Sequence, residues 1–67
     1  MSQLSPYLLN SLEKLLVRID KDLSRLQRMR ESPRISAETR QEIEKKIGDI
    51  RSSRLEITQL MSRLERL

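Results

Sequence analysis

The chain contains no cysteine, histidine, tryptophan or phenylalanine, and each gap removes a class of explanation. Without cysteine there is no disulfide staple, and without cysteine or histidine the usual zinc ligand sets cannot be assembled. No metal and no cofactor is expected, and nothing implies an oxidising compartment. Tyr7 is the single aromatic residue, so a core has to be built from Leu, Ile, Val and Met, which suits helix seams better than sheets. Gly48 stands alone, so no glycine-rich loop is present to cradle a phosphate. No apolar run approaches the roughly 18 residues of a membrane span. The N-terminal "LLNSLEKLLVRI" is too interrupted by charge to be the apolar centre of a signal peptide. A cytoplasmic protein is the resulting expectation.

Catalytic groups are equally scarce. Ser52 and Ser53 have no histidine to activate them, and the neighbouring arginines cannot act as bases at neutral pH. The carboxylates Glu38, Glu42 and Glu44 cluster near the start of a predicted helix, where the helix dipole and a Glu42–Lys46 pair account for them. The expectation is that the protein is not an enzyme.

What the chain does have is charged and hydrophobic residues in equal measure, 36% of each in 67 residues. That balance belongs to helical proteins rather than to disordered tails, whose apolar content is lower. Residues 1–67 form one small domain. A domain of this size buries only about 60% of its unfolded surface and is marginal without disulfides, a metal or association. With the first two excluded, self-association or a protein partner is left as the stabiliser.

Two amphipathic segments account for nearly all residues. The first spans about 6–30. Ser5 can cap it, and Pro6 suits the first helical position, where a missing N–H costs nothing. Leu9, Leu12, Leu16, Ile19, Leu23 and Leu26 follow in alternating steps of three and four, the a and d positions of a heptad. Leu8, Leu15 and Met29 add the adjoining g column and widen the stripe beyond a two-helix seam. The second segment, about 36–66, starts at Ser36, a good N-cap, with Glu38 in the first turn. Its seam reads Ile43, Ile47, Ile50, Ile57, Met61 and Leu64, with Leu60 and Leu67 alongside. Arg54 interrupts this seam at an a position. Either its stem lies along the seam with the head in water, or it fixes pairing and register.

The two segments do not share one phase. The a positions fall at 9, 16, 23 and 30, then at 47, 54 and 61, a slip of three residues across Pro33. Proline disfavours the helical conformation at Ser32 and removes a hydrogen bond, and a new cap follows within three residues. The spacing therefore predicts an all-α antiparallel helical hairpin with its turn at about 31–35. The alternative is a kinked rod that dimerises along its length, because no glycine marks the end of the first helix. Helices of about 25 and 31 residues would be roughly 37 and 46 Å long, so the second should overhang the first.

Both stripes are too wide for one partner helix, and the hairpin is expected to be completed into a bundle by a second copy or another chain. The candidate partner-binding stripe comprises Leu8, Leu12, Leu15, Leu16, Ile19, Leu23, Ile50, Ile57, Leu60, Met61 and Leu64. A second feature is a basic stripe, Lys14, Arg18, Lys21, Arg25 and Arg28, on the opposite face of the first helix. Residues 14–34 carry seven basic and three acidic side chains, which accounts for the whole net charge of +4. Such a stripe could follow nucleic-acid phosphates. Against this stand the lack of aromatics for base stacking and the absence of any helix-turn-helix, zinc-finger or RNP signature, so an acidic protein partner or plain solvation is preferred.

A leucine-rich first helix, a short turn and a longer second helix carrying "ETRQEIEKKIGDIRSSRLEITQLM" together resemble the small E-type co-chaperones of bacterial type III secretion needle subunits. The resemblance is one of architecture across most of the chain. It implies a hairpin that joins a second chaperone to keep an aggregation-prone needle protein soluble in the cytoplasm, and hence a heteromer. The basic stripe is not a feature of that family's pattern.

Overall fold

The computed structural model describes residues 4–66, which form two helices, α1 (Leu4–Arg30) and α2 (Ala37–Glu65), folded back on each other as an antiparallel hairpin. The rod is excluded by two cross-helix contacts. Arg54 of α2 meets Asp20 of α1, 34 residues away, and Arg40 meets the carbonyl end of α1. The hairpin is long and thin, with principal extents of 54 × 15 × 11 Å. Its radius of gyration is 15.6 Å, against roughly 11 Å for a compact domain of this length.

α1 begins at Leu4, two residues before the expected start. Ser5 consequently lies inside the first turn instead of capping the helix, and the Ser5 side chain and Leu67 are outside the described residues. Pro6 fits the third helical position as well as the first, because all the N–H groups of a first turn lack intrahelical partners. The expected overhang also needs correction. The helices contain 27 and 29 residues, roughly 40 and 43 Å, and so match in length.

α2 starts where its cap dictates. Ser36 is extended (φ −72°, ψ 163°), and its Oγ accepts the Thr39 N–H at 3.1 Å. In the connection, the Glu31 N–H reaches the Gln27 carbonyl and the Ser32 N–H reaches that of Met29, which tightens the end of α1 ahead of Pro33. The Arg34 N–H then donates to Ser32 Oγ at 3.3 Å.

Packing follows the heptads. Leu9, Leu12, Leu16, Ile19, Leu23 and Leu26 are half-buried against α2, and so are Ile50, Ile57, Met61 and Leu64 against α1. Among the described residues only Ile43 and Ile47, near the turn, are buried, at 6% and 2% exposure. Gly48 lies next to this short core but faces outward, and a Cβ placed on it would meet nothing within 4 Å. Gly48→Ala is therefore expected to stabilise the hairpin by about 0.5–1 kcal/mol through helix propensity alone. An unchanged or lower urea midpoint for this variant would show that the site is crowded.

Candidate protein-interaction surface

The end of α1 is closed by α2. Arg40 lies one heptad before Ile47, at an a position. Its Nε–H donates to the Arg30 carbonyl at 3.0 Å and an Nη2–H donates to the Ser32 carbonyl at 3.1 Å. A guanidinium here meets both the orphan carbonyls and the negative end of the helix dipole. It does the work that a C-terminal glycine does elsewhere. Arg40→Met keeps the aliphatic stem and removes the donors. It should cost about 1–2 kcal/mol, and a urea titration showing no loss would mean that water satisfies those carbonyls equally well.

Arg54 resolves in favour of pairing. Its Nε–H donates to Asp20 Oδ1 at 2.9 Å, and this is the one ion pair among the described residues. Both side chains are about half exposed, at 43% and 53%, so the pair contributes only about 0–1 kcal/mol. Its effect is on alignment. It marks one register and one side of the hairpin, the side that carries α1's e column (Glu13, Asp20, Gln27). The expected Glu42–Lys46 ion pair does not form.

The other side differs in character. Asp22, Arg25, Leu26, Lys46 and Ile50 line one shallow hollow across the seam, which places the c, g and d columns of α1 and the g and d columns of α2 on a common face. Leu8, Leu15 and Met29 of α1 and Leu60 of α2 occupy the g columns of that face. Leu8, Leu15 and Leu60 are 42%, 39% and 43% exposed. The eleven residues of the apolar stripe thus divide: Leu12, Leu16, Ile19, Leu23, Ile50, Ile57, Met61 and Leu64 lie in the intramolecular seam, whereas Leu8, Leu15 and Leu60 project beyond it. The c columns flank the face, with Arg18 and Arg25 along α1 and Glu42, Asp49, Glu56 and Arg63 along α2. All six are exposed.

Lys14, Arg18, Lys21, Arg25 and Arg28 are exposed along α1 as one continuous stripe. Exposed Val17 and Leu55 lie on the side of the Asp20–Arg54 pair, off both heptad seams, and sequence periodicity gave no reason to single them out. The row at 42, 49, 56 and 63 repeats at i, i+7 and is acidic in its first three members, of which the helix dipole at the start of α2 accounts for Glu42 alone. Among the described residues, no helix is long and apolar enough to cross a membrane. Comparison of the chain with protein-family models, curated proteins and solved structures found no match.

Proposed function

We propose that the chain is a non-enzymatic interaction module, a helical hairpin that completes its core by packing on another protein chain and acts as a small chaperone or adaptor subunit in the cytoplasm. One observation carries this: among the described residues the hairpin buries only Ile43 and Ile47 and leaves Leu8, Leu15 and Leu60 exposed along one face. The rest of the seam is only half-buried, so its remaining apolar surface gains from being covered by another chain. A type III needle co-chaperone is the specific form suggested by the architectural resemblance, with a second chaperone and a fibre-forming subunit as partners. The test is recovery of the tagged chain from its host at moderate salt. The expected result is a stoichiometric protein partner, or a second copy, whose presence raises the melting temperature. Recovery of a monomer whose melting is unaffected by any added chain would refute the proposal.

The exposed basic stripe supports a second possibility, a dimeric helical bundle that binds nucleic acid along α1. Lys14, Lys21 and Arg28 form its outermost column. Replacing these three by Gln should leave folding intact, because exposed charges contribute little to stability. If the parent chain binds duplex DNA or RNA with a steep salt dependence and the triple variant does not, nucleic-acid binding becomes the preferred function.

A further inference from the structure

Surface area sets the first condition. The chain exposes 5704 Å², whereas a compact monomer of 8.0 kDa exposes roughly 4,450 Å². The excess, about 1,250 Å², exceeds the roughly 800 Å² that one partner contributes to a standard-size interface. A footprint two helices wide and one hairpin long, about 20 by 40 Å, has that area. The face bearing Leu8, Leu15 and Leu60 can therefore seat a second pair of helices.

Charge decides whose helices these are. One flank of the face carries Ser11, Arg18 and Arg25 and the other carries Glu42, Asp49, Glu56 and, near its open end, Arg63, and none of these charges is in an ion pair among the described residues. The Asp20–Arg54 contact fixes their levels. Moving two residues along each helix towards the open end brings Arg18 level with Glu56, and moving five towards the turn brings Arg25 level with Asp49. Arg18 and Arg25 thus each lie level with an acid on the opposite flank, and Arg63 lies level with the uncharged Ser11. A surface with a basic flank, an apolar centre and an acidic flank in matched register is complementary to itself. A copy turned about a two-fold axis parallel to the helices lays its acidic flank on the first copy's basic flank at the same level, and the reverse contact follows by symmetry.

We infer that this face binds a second copy of the chain, forming a four-helix bundle in which α1 packs beside the α2 of the other copy. Both turns lie at one end. Arg18 and Arg25 of each copy pair with Glu56 and Asp49 of the other, and Leu8, Leu15 and Leu60 of both copies pack together in the half away from the turns. A two-fold axis across the helices would instead set each flank against its own sign, an arrangement that like-charge repulsion disfavours. The two charges nearer the centre of the face, Asp22 and Lys46, line one hollow and have opposite signs, so the centre carries no net charge. This inference rests on the chain being an interaction module and names its first partner. The Lys14, Lys21 and Arg28 column and the side with Val17 and Leu55 stay outside the bundle, open to a further chain.

Charge reversal in two complementary variants tests the arrangement. R18E/R25E makes the paired positions of both flanks acidic, and D49R/E56R makes them basic. The wild-type chain should sediment as a dimer at micromolar concentration. Each variant alone should dimerise about 100-fold or more weakly, since like charges meet at four places in the interface. An equimolar mixture of the two should regain a dimer containing one copy of each, and this recovery shows that neither variant is simply misfolded. Cysteines introduced singly as Leu15→Cys and Leu60→Cys should crosslink between chains when the two variants are mixed and oxidised, in preference to 15–15 or 60–60 pairs. A monomeric wild type overturns the inference, as do variants that dimerise undiminished, a mixture that stays monomeric, or dominant 15–15 crosslinks. A wild type that stays monomeric yet is stabilised by a different protein overturns the second copy as occupant but leaves the interaction-module function standing.

Discussion

Ile47→Asp is expected to unfold the hairpin. Ile47 has 2% of its surface exposed and is the most enclosed side chain of the seam. Its replacement forfeits the burial of a large aliphatic group, about 2–5 kcal/mol by analogy with truncation to Ala. It also places a carboxylate among Leu and Ile side chains, where desolvation adds several kcal/mol more or forces local opening to water. The whole stability available to a chain of this length is roughly 3–10 kcal/mol, so the sum consumes most or all of it. Far-UV circular dichroism should show the helical signal largely lost at 25 °C. Two comparisons tie the effect to burial rather than to helix propensity. Ile43→Val, one turn away at the 6% exposed position, should cost about 0.5–1.5 kcal/mol. Leu55→Asp introduces the same carboxylate into the same helix at a side chain 59% exposed and should change stability by about 0.5 kcal/mol or less. If Ile47→Asp melted cooperatively near the wild-type temperature, the two isoleucines by the turn would not be the core of the fold.

The hairpin was legible because its strongest signals are local. The a/d spacing from Leu9 to Leu26 and from Ile43 to Leu64 places the side chains that meet, and the half-buried positions follow those columns. The phase slip at Pro33 and the Ser36 cap gave the turn. Local signals were weaker at the start of α1, since a first turn makes no demand on its N–H groups and proline is tolerated at more than one position. The end of α1 was beyond a local reading. Its carbonyls are met by Arg40, ten residues on from Arg30, and only folding brings that guanidinium into place. Arg54 shows the same limit. Its a position was evident, but the choice between lying along the seam and pairing depended on Asp20, whose proximity follows from the register of the hairpin.

The interaction surface was legible in its apolar part and opaque in its charged part for a related reason. Leu8, Leu15 and Leu60 extend the seam columns by one position each, so periodicity finds them. The match between Arg18 and Glu56, or between Arg25 and Asp49, exists only once the two helices are aligned through Asp20 and Arg54. Before that alignment, the basic residues read as a stripe belonging to α1 alone, and the row at 42, 49 and 56 read as scattered surface charge.

The melting temperature of the purified chain is expected to rise by about 15 °C when its concentration is raised a thousand-fold. The reason is the shortage of buried surface within one copy. If the face carrying Leu8, Leu15 and Leu60 is covered by a second copy, folding and association are one transition, and mass action adds RT ln of the concentration ratio to the folding free energy. Three decades amount to about 4 kcal/mol. The unfolding entropy of a protein of this size is about 2.1 cal/mol/K per residue near 60 °C, or roughly 0.28 kcal/mol/K for two chains of 67 residues. The quotient gives the shift. Helicity followed from about 0.1 to 100 µM covers the range in which an interface of standard size is half-formed. R18E/R25E should melt lower at every concentration, because like charges then oppose the contact. A melting temperature that does not move with concentration would require a hairpin that is stable on its own half-buried seam, and association would then contribute nothing to its fold.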